Sequence, residues 1–183
     1  MTAASRLVPG QIVPVRELRT LRSGSVPAAD PAGLTHLQFR RYAGCPICNL
    51  HLRSFTGRHE ELIAAGIREI AVFHSTADTL DPYQQDLPFD LVADPSMQLY
   101  RTFAVETSMR ALTSPKAWIA AARGWSRNLP PGSDTGAGGH LGLPADFLIA
   151  PDGKILACKY GSHANDHWTV DQLLAEARRH TGS

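Results

Sequence analysis

The stretch LTHLQFRRYAGCPICNLHLRSFTGRHEELIAAGIREIAVF, residues 34–73, decides the fold class of this chain. Its first part, Leu34–Arg40, alternates imperfectly between apolar and polar residues and predicts a β-strand. Apolar residues then recur at near-helical spacing over Pro46–Ala65, followed by Gly66 at a position favoured after a helix, so this part predicts a helix. The last part, Ile67–Phe73, is a compact apolar run typical of a strand buried on both faces of a parallel sheet. Strand, helix and strand form a βαβ unit, for which we expect a right-handed crossover.

The residues that follow complete an α/β domain. We expect a weaker strand at Leu87–Val92 and a short helix at Pro95–Phe103. Near the C-terminus we expect strands at Ala145–Ala150 and Lys154–Tyr160, joined by a Pro-Asp-Gly turn, and then a helix over Thr169–His180. A parallel βαβ half followed by a hairpin and a terminal helix is the thioredoxin arrangement. We therefore predict a thioredoxin-like fold, with a central mixed sheet flanked by helices.

The chain begins with an extension of this minimal arrangement. Residues 1–30 are rich in Pro, Gly, Ala and Ser, and they predict a loose N-terminal arm with one hairpin around Ser23-Gly24. We expect this arm and the rest of residues 1–183 to form a single domain, since a chain of this length can bury one sufficient core.

A second extension is predicted at residues 104–143, as an insertion before the C-terminal hairpin. We expect a helix over Ser114–Arg127 and then a mobile loop rich in Gly, Pro and Ser over Pro130–Gly142. Trp118 and Trp125 share one face of the helix. We expect that face to pack on the core, with a homodimer or substrate contact as the alternative.

The overall composition excludes several classes of protein. Hydrophobic residues make up 43% of the chain and charged residues 19%, a normal balance for a globular protein. The net charge of +1 gives no reason to expect nucleic acid or an anionic membrane as a partner. No stretch approaches the roughly 18 apolar residues of a membrane helix, and the start of the chain has no targeting signal. A cytoplasmic location is the expectation that follows.

The chemistry of the sequence lies in the pair Cys45-Pro46-Ile47-Cys48. Cys45 falls between a strand and the first turn of a helix, where free backbone N–H groups and the helix dipole stabilise a thiolate. We therefore expect a lowered pKa for Cys45. Cys48 lies one helical turn further on, close enough to attack a sulfenic acid or a mixed disulfide formed on Cys45.

Two other interpretations of the CxxC pair stay open. The pair could be half of a zinc site completed by His163 and His167, although more than a hundred residues separate the two halves. Alternatively, Cys45 and Cys48 could be inert core residues, but then their place at a helix N-terminus would gain them nothing. We favour the redox interpretation, and we expect no metal and no cofactor.

Other candidate residues carry a weaker signal. Cys158 lies in a predicted strand, where a small buried residue is a better interpretation than a third redox partner. His51, on the CxxC helix, and His140, in the glycine-rich loop, could approach the thiolate.

Four stretches of the chain resemble the peroxiredoxin-like branch of the alkyl hydroperoxide reductase and thiol-specific antioxidant (AhpC/TSA) family, within a likeness that spans about Val8 to the C-terminus. The resemblance implies a thioredoxin fold with an N-terminal extension and places Cys45 as the attacking cysteine. The four stretches are residues 42–48 (YAGCPIC), 72–75 (VFHS), 93–95 (ADP) and 142–155 (GLPADFLIAPDGKI).

The chain also departs from that family. The peroxiredoxin loop Pro-x-x-x-Thr-x-x-Cys has Gln38 and Tyr42 here in place of its Pro and Thr, and Pro144 occupies the place expected for the peroxide-binding Arg. A proline there resembles thioredoxins and related thiol reductases, in which it is usually cis. We assign Tyr42, Gly44, Pro46 and Pro144 to substrate binding. Without the Thr and the Arg we expect weak peroxidase activity.

The sequence thus predicts a thiol-dependent oxidoreductase. The Cys45 thiolate attacks a peroxide or a disulfide, Cys48 resolves the product as an intramolecular disulfide, and an external reductant restores the thiols. That reductant is a thioredoxin-like protein or a low-molecular-weight thiol. The alternative is a non-catalytic redox-sensing or partner-binding module that uses the CxxC pair as a switch.

Overall fold

A five-stranded mixed sheet forms the centre of the molecule, in a computed structural model that describes residues 5–105 and 142–181. The described strands are β1 (Glu17–Thr20), β2 (Gly24–Pro27), β3 (Leu34–Phe39), β4 (Ile67–Phe73), β5 (Asp90–Ala93), β6 (Ala145–Ile149) and β7 (Ile155–Tyr160). The described helices are α1 (Pro46–Thr56), α2 (His59–Ala64), α3 (Ala77–Gln84), α4 (Gln98–Thr102) and α5 (Val170–Thr181).

The strand order of the central sheet is β5-β4-β3-β6-β7. Strands β3, β4 and β5 are parallel, as the βαβ interpretation predicts, while β6 and β7 pair antiparallel as the C-terminal hairpin. Phe39 at the end of β3 pairs with Ala145 at the start of β6. The loop after β3 and the residues before β6 therefore meet at the same end of the sheet, where β3 ends and β6 begins.

The predicted helix between β3 and β4 is two helices in the structure. The chain leaves α1 at Gly57, whose N–H still bonds to the carbonyl of Arg53, and α2 begins two residues later. The Arg58 side chain lies at this break and bonds to Glu61 and to Asp171 of α5. The break thus turns the second half of the connection towards the C-terminal helix.

The region between β4 and β5 also differs from the sequence prediction. Helix α3 was not predicted, because Pro82 lies inside it and interrupts the helical signal. The predicted strand at residues 87–92 is observed at Asp90–Ala93. The buried side chain of Gln84 donates to the carbonyl of Phe89 and accepts from the N–H of Leu91. At the start of β5 these side-chain bonds satisfy backbone groups that a neighbouring strand would otherwise pair.

Both faces of the sheet are buried. One face packs against α1, α2 and α5 through a cluster that includes Leu52, Phe55, Leu62, Leu148 and Leu173. The other face carries a second cluster that includes Leu37, Phe39, Val72, Tyr100, Phe103 and Phe147. All six residues of β3 are buried, which explains why its alternation looks imperfect in the sequence.

From residue 5 onward the N-terminal arm is held against the sheet, which corrects the prediction of a loose arm. Its hairpin forms as expected, with Thr20 opposite Gly24 in the β1–β2 pair. Beyond the hairpin, the N–H of Leu21 donates to the carbonyl of Leu91 in β5. The N–H of Gly10 donates to the carbonyl of Ile155 in β7, whose own N–H donates to the carbonyl of Gln11. The arm is therefore attached to both edge strands of the sheet by backbone hydrogen bonds.

Most of the predicted insertion lies outside the described residues. This applies to the helix over Ser114–Arg127 with Trp118 and Trp125, to almost all of the loop over Pro130–Gly142, and to His140. In the described part of the chain, every helix is too short or too polar to span a bilayer.

Candidate active site

Cys45 lies where the loop after β3 turns into α1. It is the N-cap residue of that helix, and Pro46 begins the first turn. Two backbone hydrogen bonds hold this turn. The Cys45 N–H donates to the Tyr42 carbonyl in the loop, and the Asn49 N–H donates to the Cys45 carbonyl as the first bond of the helix. Cys45 is 0% exposed and Cys48 is 3% exposed, and both are free thiols.

The environment of Cys45 favours its ionised form. Burial by itself opposes ionisation, but a hydrogen bond from Cys48, the positive charge of Arg41 and the backbone N–H groups of Cys48 and Ile47 outweigh it. Together they lower the pKa of Cys45 to about 6. The sequence prediction of a lowered pKa at a helix N-terminus thus agrees with the geometry, although the neighbouring thiol and Arg41 contribute as well.

Cys48 has the opposite tendency. Burial, its hydrogen bond to Cys45 and the charge of the Cys45 thiolate raise the pKa of Cys48 well above its usual value. At neutral pH the pair therefore consists of one thiolate and one thiol, and the proton of Cys48 points to the sulfur of Cys45. This is the arrangement that a nucleophile and a resolving thiol need.

Arg41 is a site residue that the sequence analysis missed. Its Nη1 lies 3.6 Å from the sulfur of Cys45, and its guanidinium stands 5.5 Å from the ring centre of Tyr42. The sequence analysis considered only the place of the family's peroxide-binding Arg, where Pro144 stands, and did not consider Arg41. Arg40 and Arg41 precede the CxxC loop directly, but only the structure shows that both are buried, at 3% exposed or less, and so must find partners in the interior.

The four residues assigned to substrate binding lie around this turn. Tyr42 and Gly44 are buried beside Cys45, and Pro46 is half-buried. Burial and the charge of the Cys45 thiolate raise the pKa of Tyr42 to about 12, so its hydroxyl keeps its proton. Pro144 directly precedes β6 and so lies at the end of the sheet where β3 leads into the loop with Cys45. Its peptide bond is trans, contrary to the cis bond that the resemblance implies.

A buried polar network lies under α1. His36 and Gln38 of β3 and Arg40, the residue directly after that strand, carry it, and Glu69 of β4 and Asp146 of β6 complete it. His36 Nδ1 lies 2.8 Å from Glu69 and its Nε2 lies 3.2 Å from Asp146. Arg40 Nη2 donates to Asp146 at 2.6 Å, and Gln38 bonds to both Glu69 and Arg40.

The charges in this network balance. Burial alone would lower the pKa of His36, but Glu69 and Asp146 prevail and raise it to about 9, so His36 is protonated at neutral pH. Burial would raise the pKa of Asp146, but Arg40 and His36 hold it well below its usual range. Two cations thus face two carboxylates in the interior, which is tolerable only because each of them is paired.

His51 contacts this network and not the nucleophile. Arg40 Nη2 donates to His51 Nε2 at 2.8 Å, and the His51 ring lies 3.7 Å from the ring of His167, centre to centre. Among the described residues, no cluster of three or more His, Cys, Asp and Glu side chains is arranged to hold a metal. The zinc interpretation through His163 and His167 therefore gains no geometric support.

Cys158 lies far from this chemistry. It is half-buried on β7, its thiol donates to the Leu7 carbonyl at 3.4 Å, and it packs against the apolar cluster on the other face of the sheet from Cys45. Burial raises its pKa. Its position fits the interpretation of a small packing residue.

Comparison with known proteins identifies relatives of the chain. Residues 54–163, more than half of the chain, match the family described as AhpC/TSA antioxidant enzyme, and the matched region begins just after the CxxC pair. No curated protein matches the sequence.

Solved structures give a consistent picture of the fold. Peroxiredoxin 6 of Arenicola marina is 15% identical with a TM-score of 0.69, covering 93% of this chain and 72% of that one. Peroxidoxin BcpB from Mycobacterium tuberculosis is 15% identical with a TM-score of 0.69, covering 95% and 98%. A putative thiol:disulfide interchange protein DsbE from Chlorobium tepidum is 19% identical with a TM-score of 0.58, covering 93% and 99%. These similarities confirm the thioredoxin-like fold.

Proposed function

Since the chain belongs to the AhpC/TSA antioxidant enzyme family, we propose that it is a thiol-dependent oxidoreductase with Cys45 as its nucleophile and Cys48 as its resolving thiol. The observation that supports this most directly is the thiolate–thiol pair at the start of α1. Membership of the family agrees with the resemblance seen in the sequence. A thiol redox function follows at the level of the family, and the assignment of each step to a residue is our proposal.

The first step consumes the oxidant. The Cys45 thiolate attacks one oxygen of a peroxide, an S–O bond forms, the O–O bond breaks, and the second oxygen leaves as water or an alcohol after it takes a proton. Arg41, 3.6 Å from the sulfur, places a positive charge where the leaving oxygen develops its negative charge. The hydroxyl of Tyr42, which keeps its proton under the influence of the Cys45 thiolate, is our second candidate donor to the peroxide. These two groups take the place of the missing Thr and Arg.

The second step closes the pair. The Cys48 thiol attacks the sulfenic acid on Cys45, an S–S bond forms, and water leaves. Two electrons from an external thiol then restore the pair, so we place the protein in a reducing compartment such as the cytoplasm. A disulfide substrate would follow the same course through a mixed disulfide.

The burial of the two sulfurs favours a small oxidant. Cys45 is 0% exposed and Cys48 only 3%, so a protein disulfide could reach neither sulfur without a movement of the surrounding loops. A hydroperoxide needs far less space. We therefore favour peroxide over a protein disulfide as the substrate.

The test follows the fate of each thiol after hydrogen peroxide is added. We expect wild type to form a Cys45–Cys48 disulfide that mass spectrometry detects, Cys48→Ser to accumulate a dimedone-reactive sulfenic acid on Cys45, and Cys45→Ser to lose the rapid reaction. Cys158→Ser is the matched control and should behave as wild type. If Cys45→Ser consumes peroxide as fast as wild type in a dithiothreitol-coupled assay, the proposal is wrong.

A further inference from the structure

We propose that two buried hydroxyl groups, those of Ser75 and Tyr100, are positioning groups that hold Arg41 beside the Cys45 sulfur. The proposal rests on the function proposed above and deepens it, because it names the groups that keep the proposed donor in place. Both hydroxyls bond to the backbone of the loop between β3 and α1. They act on the nucleophile through the residues that this loop carries.

The loop needs such partners because it has left the sheet without yet entering the helix. Strand β3 ends at Phe39 and α1 begins at Pro46, so most backbone groups between them lie outside regular strand and helix bonding. All residues from Arg40 to Cys45 are nevertheless buried. A buried peptide group without a partner is costly, so the peptide groups of this loop must find hydrogen bonds elsewhere.

Ser75, just beyond the end of β4, reaches the nucleophile through a single peptide group. Its fully buried hydroxyl accepts from the N–H of Ala43 at 3.0 Å. The carbonyl of that same peptide group belongs to Tyr42, and it accepts from the N–H of Cys45 at 3.0 Å. A movement of this one peptide group therefore displaces both Tyr42 and Cys45.

Tyr100 holds the other end of the loop. Its hydroxyl donates to the carbonyl of Arg40 and lies 3.0 Å from the carbonyl of Val72, which itself accepts from the N–H of Arg40. The carboxylate of Asp94 accepts from the N–H groups at the start of α4, including that of Tyr100, and so fixes the helix that carries the ring. Because Tyr100 is fully buried, little water competes for these bonds.

Between these two attachments lie only Arg41 and Tyr42, the two proposed donors to the peroxide. The carbonyl of Arg41 accepts from the N–H of His74 at 3.3 Å, so the peptide group between the two donors is bonded as well. Three successive peptide groups are thus held, two of them by side-chain hydroxyls. The side chain of Arg41 therefore starts from a fixed position and direction, with its Nη1 3.6 Å from the Cys45 sulfur.

Loss of either hydroxyl leaves a buried backbone group without its partner. The loop then shifts to satisfy that group, and the guanidinium of Arg41 moves relative to the Cys45 sulfur. Because the attraction between charges falls with distance, the thiolate loses part of its stabilisation. A hydroxyl that only stabilised the fold would lower the free energy of unfolding and leave the ionisation of Cys45 unchanged.

The experiment titrates the ultraviolet absorbance of the thiolate in the reduced protein, with the titration of Cys45→Ser subtracted. It needs neither peroxide turnover nor access of a reagent to the buried sulfur. We expect Ser75→Ala and Tyr100→Phe each to move the midpoint to a pH about half a unit higher, which corresponds to about threefold less thiolate below the midpoint. Tyr100→Phe keeps the ring, so it tests the loss of a hydroxyl with little change in packing.

Thr20→Val is the matched control. Its buried hydroxyl accepts from the N–H of Ser23 and donates to the carbonyl of Gly24, both in the β1–β2 hairpin. The control should lower the free energy of unfolding in urea and leave the midpoint of Cys45 unchanged. An unchanged midpoint in Ser75→Ala or in Tyr100→Phe would overturn the positioning role of that hydroxyl.

A double-mutant cycle shows whether the hydroxyls act through Arg41. In the Arg41→Met background there is no guanidinium to displace, so Ser75→Ala should move the midpoint much less than it does in wild type. The same holds for Tyr100→Phe. Shifts that simply add to that of Arg41→Met would overturn the proposal.

Failure of the proposed function would look different. If Cys45 ionises as expected but hydrogen peroxide leaves it unoxidised, the proposed function is wrong, while the titrations still test how the loop is held. If the Cys45–Cys48 disulfide forms with peroxide but both hydroxyl variants titrate as wild type, only the positioning role is wrong.

Discussion

At the scale of single residues, the reactivity of Cys45 depends on three sources of positive potential that meet at one buried sulfur. These are the thiol of Cys48, the guanidinium of Arg41 and the backbone N–H groups at the start of α1. Burial makes each of them more effective, because little water screens the interaction. Burial also makes the site dependent on them, since an unpaired thiolate in the interior would be costly.

Removing the charge of Arg41 should make Cys45 less acidic. We expect Arg41→Met to raise the pKa of Cys45 by about one unit, since a charged hydrogen bond is worth about 1.5 kcal/mol. Alkylation by iodoacetamide should then be about tenfold slower at a pH below both pKa values. The measurement is the alkylation rate as a function of pH, followed by mass spectrometry at Cys45.

Two variants control for loss of structure. Arg41→Lys keeps a positive charge and should recover most of the reactivity, whereas Arg178→Met removes an exposed charge on α5 and should have no effect. If the alkylation rate of Cys45 depends on pH in the same way in Arg41→Met as in wild type, the helix N-terminus and Cys48 suffice to ionise Cys45.

At the scale of secondary structure elements, the buried network fastens α1 to the sheet. Asp146 of β6 accepts from His36 of β3, from Arg40 directly after β3 and from the N–H of Trp168. Arg40 also donates to His51 on α1. A single carboxylate thus joins two strands, the helix with the CxxC pair and the segment before α5. The position of Cys45 depends on this attachment as well as on apolar packing.

We expect Asp146→Asn to destabilise the protein by about 3 kcal/mol or more, because it leaves two buried cations with one carboxylate. The free energy of unfolding in urea measures the effect. Asp81→Asn, at an exposed position of α3, is the matched control and should change stability by less than about 0.5 kcal/mol. A loss in Asp146→Asn no larger than in the control would show that apolar packing alone holds α1.

At the scale of the whole molecule, two buried groups make opposite contributions to the pH dependence of stability. The pKa of His36 is raised from 6.5 to about 9, so its contribution is fully present below pH 6.5 and is lost as the pH rises through 9. The pKa of Cys45 is lowered from 9.0 to about 6, so the unfolded chain binds the extra proton between these values and stability increases with pH. Over the neutral range the two effects nearly cancel.

The Cys45→Ser variant should reveal this cancellation. We expect its free energy of unfolding to fall by about 2 kcal/mol between pH 6.5 and about pH 8.5, because only the contribution of His36 remains. The free energy of unfolding of wild type under reducing conditions should be nearly constant over the same pH range. His51 and His167, whose pKa values are lowered, act mainly at more acidic pH. Urea unfolding at a series of pH values gives the free energy of unfolding of both proteins. If this free energy changes with pH in the same way in wild type and in Cys45→Ser, the opposite contributions assigned to His36 and Cys45 are wrong.

Much of the candidate site could be predicted because its chemistry is local. A cysteine that precedes a proline at a strand-to-helix turn meets helix N–H groups whatever the rest of the chain does, and a cysteine three residues later lies one turn away. The strand at Ile67–Phe73 was predicted to its exact ends because a compact, largely apolar run with several β-branched residues is typical of a doubly buried strand. Arg41 could not be assigned, because nothing in its neighbours shows where a long side chain ends.

By itself, the sequence determined the βαβ unit, the C-terminal hairpin and the redox pair, since each depends on periodicity and spacing within a short segment. Tertiary structure alone decided the rest. It attached the N-terminal arm to both edge strands, placed Arg41 at the nucleophile, and brought His36, Glu69 and Asp146 from three strands into one network. The network joins residues 33 to 110 positions apart, such as His36 with Glu69 and His36 with Asp146, and only the register of the sheet brings them within hydrogen-bond distance.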